Sequence, residues 1–403
     1  MSLILAGTGC GSPGSMTIEV RDAAAKADVL IGAKRLLEGM PSVSGAKKCS
    51  AIYAEDILKI IKEEQAEGEK NICILYSGDS GFYSGTSALL PLLDEAGIEA
   101  QVLPGISSIQ LFAARLQTPW QDWELVSAHG TDCDPVANVM KGKPAFFLTG
   151  GKLDPQILCQ RLTEAGLEGL EVVVGEKLSY DDERIVRGTA GEFAGRSFAP
   201  LSVMLAYPAP SKGDMTPGID DDEFIRGDVP MTKQDVRASI ISHMKVQSGD
   251  TVWDVGAGTG SVSVELAMKA SAGKVYAIER GVEGASLINQ NKEKFGVWNL
   301  TAIEGSAPET LTDLPAPDRV FIGGSSGNLS DIIDAVLTKN DRALICISAI
   351  VLETLHEATA HLTEAGLDVS ITQIAASKTR PIGGKHMMIA INPIYIITGQ
   401  KND

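Results

Sequence analysis

Asp254, Gly256, Gly258 and Gly260 recur at alternate positions in the run from Thr251 to Gly260, where an apolar strand-like segment turns into a helix-like one, Ser261 to Lys269. Glycine allows a tight turn and a close approach to a ligand. The helix that follows offers N–H groups with no partner inside it. With Ala257 and Thr259 between the glycines, such a loop can grip a ligand through its main chain. Dinucleotide sites read G-x-G-x-x-G. Here Ser261 stands where the third glycine would be, and the extra glycine comes one residue early. Glu279 ends the next strand-like run, 25 residues after Asp254, where a carboxylate can accept both hydroxyls of a ribose. Gly305, Ser306 and Ala307 follow another strand and are small enough to wall a flat base. A turn with a purely structural role is the competing reading of the glycines.

A second set lies in the first half. Leu3 to Thr17 is a strand feeding a turn with glycines at 7, 9, 11 and 14. Ser77, Gly78, Asp79 and Phe82 sit in a second such junction, and Pro104 to Ser108, with Ser107 and Ser108, in a third. Three Gly- and Ser-rich junctions can line a cleft with main-chain N–H and C=O groups. Taken singly, each is an ordinary turn.

Strands must deliver these loops. Strand-like runs fall at 2–6, 71–76, 100–103, 123–127, 144–149, 171–175 and 201–207. In the second half they fall at 251–255, 274–278, 300–304, 318–322, 343–348, 368–375 and 387–397. Alternation with helices predicts α/β sheets. At 403 residues the chain suits two domains, and three prolines and two glycines between 207 and 218 mark the join. The division expected is 1–208, a linker at 209–218, and 219–403.

The net charge of −17 is shared evenly, with 18 basic against 27 acidic residues up to residue 210 and 17 against 25 beyond. Neither half has the footprint of a nucleic-acid binder. No run reaches the roughly 20 apolar residues of a membrane span, and the N-terminus reads as a buried strand rather than a signal. The six cysteines form no Cys-x-x-Cys pair, so neither a zinc site nor any other metal is expected. A soluble cytoplasmic protein is the expectation. His356 and His361 are five apart, not the four of a zinc-protease helix, and read as a solvated helix. No catalytic residue is identified by type and spacing.

The Asp-x-Gly-x-Gly-x-Gly pattern resembles the first motif of Rossmann-type methyltransferases, whose donor is S-adenosyl-L-methionine. Together with Val229-Pro-Met-Thr-Lys233, Glu304-Gly-Ser-Ala-Pro-Glu309 and Phe321-Ile-Gly-Gly-Ser325, it resembles the decarboxylating C15-methyltransferases of cobalamin biosynthesis. The resemblance covers about 215–403. It implies donor contacts at Thr232, Asp254, Gly256 through Gly260, Glu279, Ser306 and Ala307, with substrate beside Gly323, Gly324 and Ser325. Thr232 or Asp235 would also serve as an N-cap.

The three junctions of the first half, with Phe147-Leu-Thr-Gly150, resemble the tetrapyrrole methylase family and particularly its C5-methylating members, over about 1–208. That implies a two-lobed fold and donor contacts at Ser77, Gly78, Asp79, Phe82, Ser107, Ser108 and Thr149. Cys10, Ser12 and Ser80 depart from the usual proline, aspartate and proline. The fusion resembles the bifunctional C5,15-methyltransferases acting on a corrin precursor, with or without cobalt. The resemblance also implies a homo-oligomer.

A polycarboxylate substrate on an acidic protein needs local cations. No Asp or Glu lies between Asp368 and Asp403, and this tail carries Lys378, Arg380, Lys385 and His386. Arg226, Lys233 and Arg237 are second candidates, and His129 is a further one for the first half. A solvated hairpin loop is the plain alternative for 377–386. Two other functions stay open: a methyltransferase acting on tRNA or protein with the first half as recognition module, and a non-catalytic donor-binding sensor.

Overall fold

The computed structural model describes residues 2–40, 45–211 and 216–401. The chain divides into two compact units. One holds most of residues 1–207; the other holds Pro208–Asp403 with the short stretches Asp134–Gly142 and Arg161–Leu167. Part of the expected linker, 212–215, lies outside the described residues.

In chain order the first half runs β1 (Leu3–Gly7), α1 (Ile18–Ala25), β2 (Val29–Gly32), α2 (Lys34–Gly39), β3 (Lys47–Ser50), α3 (Ala54–Ala66), β4 (Ile72–Tyr76), α4 (Thr86–Glu95), β5 (Gln101–Leu103) and α5 (Ser108–Leu116). After these come β6 (Glu124–Ser127), α6 (Pro135–Val139), β7 (Ala145–Leu148), α7 (Pro155–Glu164), β8 (Glu171–Glu176), β9 (Arg184–Thr189), α8 (Ala190–Ala194) and β10 (Ser202–Ala206). The first five strands form a parallel sheet ordered β3-β2-β4-β1-β5. Leu5, Ile31 and Ile74 pack on α3 and α4, while Ala6, Leu30 and Cys73 pack on α1 and α2. Alternate residues thus serve opposite faces, as a sheet covered on both sides requires. The other five strands make a mixed sheet ordered β6-β7-β10-β8-β9, with α5 against Phe146, Val173 and Val203.

The second half runs α9 (Gln234–Met244), β11 (Thr251–Val255), α10 (Ser261–Lys269), β12 (Lys274–Glu279), α11 (Val282–Phe295), β13 (Leu300–Glu304), β14 (Arg319–Ile322), α12 (Leu329–Lys339), β15 (Leu344–Ala349), α13 (Leu352–Glu364), β16 (Asp368–Ile374), β17 (Ser377–Ile382), β18 (Lys385–Ala390) and β19 (Ile394–Gln400). Seven strands form one sheet, ordered β13-β12-β11-β14-β15-β19-β16. It is parallel from β13 to β15, and β19 runs antiparallel to both its neighbours. Val252 and Phe321 face α9, α10 and α11, whereas Trp253 and Val320 face α12 and α13.

Three differences from the sequence reading stand out. β2, β3 and β9 were not expected; β3 and β9 are edge strands whose lysines and arginines hide the strand pattern. The single strand expected at 387–397 is two, β18 and β19, parted at 391–393 where Pro393 has no N–H to donate; β17, also unexpected, turns back into β18 through Gly383 and Gly384, both with positive φ. The N-cap of α9 is Lys233 rather than Thr232 or Asp235; the Asp221 carboxylate, from upstream, accepts the first helical N–H at 2.9 Å. No helix among the described residues is long and apolar enough to cross a membrane.

Candidate functional site

In the C-terminal unit the loops that begin at Gly256, Arg280, Gly305 and Gly323 leave the carboxyl ends of adjacent strands in the block β13-β12-β11-β14. This is the edge where open α/β sheets place their ligands. The glycine loop after β11 is tied to β12: the N–H groups of Gly256 and Ala257 donate to the Ile278 carbonyl at 2.9 and 3.1 Å. Glu279 closes the tie, accepting from Gly258 N at 2.9 Å through Oε2 and from Gly281 N at 2.9 Å through Oε1. Each carboxylate oxygen keeps a free lone-pair direction. Gly305 N donates to the Glu279 carbonyl, which brings Ser306 and Ala307 alongside. Gly323 N donates to the Val255 carbonyl at 2.9 Å, setting Gly324 and Ser325 on the other flank.

The glycines are required by backbone contact. A Cβ at Gly256 (φ +73°) would meet the Gly324 carbonyl oxygen at 2.5 Å, and one at Gly258 would meet the Pro230 carbonyl oxygen at 2.9 Å. The second contact places the segment carrying Thr232 over the loop. Gly260, with φ +75°, is the N-cap of α10.

Sequence reasoning missed what holds that segment. Arg237 and Glu265 are both fully buried and paired at 2.6 Å. Arg237 also donates to the carbonyls of Thr232, at 2.7 Å, and Ile219, and its guanidinium lies 4.6 Å from the Phe224 ring centroid. Glu265 accepts from the N–H groups of Gly218 and Ile219. Arg237 is therefore occupied, which corrects its place among the substrate cations: no donor faces solvent. Asn291, equally buried, ties Ile225 to the Thr259 carbonyl. The signal in both cases was a polar side chain on the apolar side of a helix.

Asp254 is buried beneath the loop. One oxygen accepts from Ser263 Oγ, and the other, Oδ1, has no partner; Thr259 Oγ1 is likewise buried and unpaired. Burial pushes the Asp254 carboxyl up to about 7, with Glu279 adding to the effect. A carboxyl whose folded value lies above its ordinary 3.8 holds its proton more tightly when folded. Its contribution to stability is therefore present at low pH and lost as pH rises from near 4 to about 7. Thermal unfolding across that range should show this fall, and Asp254→Asn should flatten it. An unchanged slope in the variant would assign the dependence elsewhere.

The cations of the tail fall on the β17–β18 hairpin. Lys378 and Arg380 alternate along β17, and Lys385 lies opposite Ile382, so all three share one face. His386, opposite Pro381, falls on the other. Lys378 reaches the start of α9, 3.3 Å from an Asp235 carboxylate oxygen and 3.1 Å from Gln234 Oε1. Arg226 pairs with Asp222, and Lys233 is exposed. His361 pairs with Asp334 on a half-exposed helix, and no cluster of metal-ligand residues occurs among the described residues.

The N-terminal unit builds its site on the same logic with different parts. The three junctions leave the carboxyl ends of β4, β1 and β5, which are neighbours. Gly9 and Gly78 exchange main-chain hydrogen bonds at 3.0 and 2.8 Å. Asp79 accepts from Gly81 N at 2.8 Å and from Gly105 N at 3.0 Å, joining the second junction to the third. A Cβ at Gly105 would lie 2.3 Å from the Gly78 carbonyl oxygen and 2.4 Å from that of Gly7. Ser107 forms a capping box with Gln110 at the start of α5, where Ser108 is the first helical residue. Phe82 packs near Tyr83 and Phe146. Thr149 is buried at the end of β7 and donates to the Ser202 carbonyl at 2.6 Å. The His129 ring lies so close to Gly150 that a Cβ there would collide with it.

Comparison with known proteins bears on both units. The model described as Tetrapyrrole (Corrin/Porphyrin) Methylases matches residues 2–194, and that described as Precorrin methyltransferase domain matches 223–401. A precorrin-6Y C(5,15)-methyltransferase [decarboxylating] of Sinorhizobium sp is 31% identical over 373 residues, covering 91% of this chain and 88% of the relative. The chain belongs to the precorrin-6Y C(5,15)-methyltransferase (decarboxylating) family. Another relative of this member of the family, from Pyrobaculum calidifontis, is a probable cobalt-precorrin-6B C(15)-methyltransferase (decarboxylating), 42% identical over 186 residues, 45% of this chain and 95% of the relative. A solved precorrin-6Y C5,15-methyltransferase structure from Geobacter metallireducens GS-15 is 41% identical, with a TM-score of 0.44, covering 46% of this chain and 97% of that one.

Proposed function

We propose that the chain is a bifunctional methyltransferase of corrin biosynthesis: the N-terminal unit methylates C5 of precorrin-6Y or its cobalt counterpart, and the C-terminal unit methylates C15 and promotes loss of CO₂ from a ring acetate. The observation that carries it is the likeness to the Sinorhizobium enzyme along 91% of the chain. Two glycine-rich strand ends of unlike build support it, since they give one polypeptide two ligand-gripping edges.

S-adenosyl-L-methionine fits the C-terminal edge. The orphaned Asp254 Oδ1 and Thr259 Oγ1 are two of the buried polar atoms without a partner, of a kind native structures rarely leave unmatched, and they lie in and beneath the glycine loop. Glu279 retains acceptor capacity for ribose hydroxyls. When bound, this donor supplies a methyl made electrophilic by its sulfonium. The protein's part is positional. Gly256 to Gly260 and Thr232 orient the donor, Ser306 and Ala307 wall its base, and Gly323 to Ser325 leave room for a large ring. An electron-rich substrate carbon needs alignment more than a strong base. In the N-terminal unit Ser77, Gly78, Asp79, Phe82, Ser107, Ser108 and Thr149 hold the corresponding donor.

The hairpin face with Lys378, Arg380 and Lys385 supplies cations for the substrate carboxylates of the C15 site. Arg380→Ala is expected to raise the substrate KM for C15 methylation about tenfold, the scale of one charge-assisted hydrogen bond, with donor affinity unchanged. An unaltered KM would remove the hairpin from the site. The function itself is tested by incubating the protein with the precursor and labelled donor and weighing the product. Two methyl additions and one lost CO₂ are expected; donor binding without turnover would favour a sensor.

A further inference from the structure

We infer that Arg35 is a carboxylate anchor for the tetrapyrrole at the N-terminal site, an inference that rests on the function proposed above. Arg35 follows β2, at the same carboxyl edge of the parallel sheet that carries the three Gly- and Ser-rich junctions, and β2 is the neighbour of β4. Its side chain is exposed there. One guanidinium nitrogen donates to Tyr180 Oη at 2.9 Å and the other makes a longer contact, 3.4 Å, with Ser77 Oγ. Both acceptors are neutral. Among the described residues no carboxylate pairs with it.

The other arginines of this unit are engaged: Arg196 lies over the Phe193 and Phe198 rings. Arg21, Arg115, Arg184 and Arg187 each pair with an Asp or Glu. In a protein with 52 acidic and 35 basic residues, a guanidinium facing solvent beside a ligand-gripping edge without a counter-ion is available for an anion from outside. Its planar fork matches a carboxylate with two parallel hydrogen bonds. Tyr180 and Ser77 hold the fork in position, so little rotamer freedom is lost when the anion arrives. Tyr180 is itself fixed: Ser179 donates to the Cys10 carbonyl at 2.7 Å, and Tyr180 Oη lies so near Gly11 that a Cβ at that glycine would be 2.6 Å away. The anchor is thereby tied to the first junction through Gly11 and to the second through Ser77. The ligand class is a ring acetate or propionate of the macrocycle.

The test uses the full chain carrying Arg35→Gln, Arg35→Lys or Tyr180→Phe. C5 and C15 methylation are followed separately by product mass, and precursor binding without donor is followed by absorbance. Arg35→Gln should raise the KM for C5 methylation roughly tenfold to a hundredfold and weaken the ionic-strength dependence of that KM. The C5 kcat should stay within about threefold, since only uniform binding is removed; C15 methylation and donor affinity should be unchanged. Arg35→Lys should recover part of the loss, and Tyr180→Phe should cost less than Arg35→Gln. A loss of donor affinity with the precursor KM unmoved would overturn the proposal, as would equal precursor binding by wild type and Arg35→Gln. If wild type itself neither binds nor methylates the precursor, the functional reading has failed, which is distinct from a failure confined to the variant.

Discussion

Gly256→Ala should leave a protein that adds one methyl to the precursor and releases no CO₂. The reason is geometric. At φ +73° an L side chain costs about 1–2 kcal/mol before any neighbour is considered. The added Cβ would also stand 2.5 Å from the Gly324 carbonyl oxygen, a main-chain atom that no rotamer change can clear. Either the glycine loop, proposed to hold the donor, or the strand end carrying Gly323 and Gly324, proposed to flank the substrate, must shift. Donor affinity at this unit is expected to fall by at least about a hundredfold, on the order of 3 kcal/mol. C5 methylation, served by a separate edge, should persist. Calorimetric titration of the donor and the mass of the product read the two outcomes; retention of both methyl additions would show that this loop does not hold the donor.

Arg237→Ala should destabilise the C-terminal unit by about 3–5 kcal/mol, the range for stranding one member of a buried ion pair. Glu265 would keep its hydrogen bonds from Gly218 and Ile219 but lose the buried guanidinium paired with it. The segment from Gly218 to Thr232 would loosen, and donor affinity should fall with it even though Arg237 need never touch the donor. Unfolding of a two-unit chain is not all-or-none, so hydrogen exchange of α9, α10 and β11 is the appropriate readout. Glu265→Gln should cost less, because the amide still offers an acceptor. Equal exchange in wild type and Arg237→Ala would assign the pair no such role.

What the sequence made legible was local grammar: strand, glycine turn, helix, acidic strand end. Each piece spans about ten residues, and the structure sets them on adjacent strands as that grammar requires. Asp254 and Glu279 stand at the strand positions their spacing implied. What stayed hidden depends on partners far along the chain. Lys47 and Arg184 mask the edge strands on which they lie. Nothing near residue 237 says that its guanidinium will be consumed by Glu265, 28 residues on, rather than by a substrate. The helix start at Gln234 takes its cap from Asp221, so no search near Thr232 or Asp235 could identify it. Arg35 was passed over because the residues beside it in sequence are unremarkable; its meaning comes from Ser77 and Tyr180.

The interlocked N-terminal junctions bear on the departures at positions 10, 12 and 80. Gly7, Gly78 and Gly105 meet through main-chain atoms, and Ser80 donates to the Leu103 carbonyl from within this frame. Beyond the side chains of Asp79, Ser80 and Cys10, which bond main-chain groups within it, this frame is held by backbone contacts. Position 12, whose side chain makes no cap bond there, is consequently one where substitution is expected to leave the platform beneath intact.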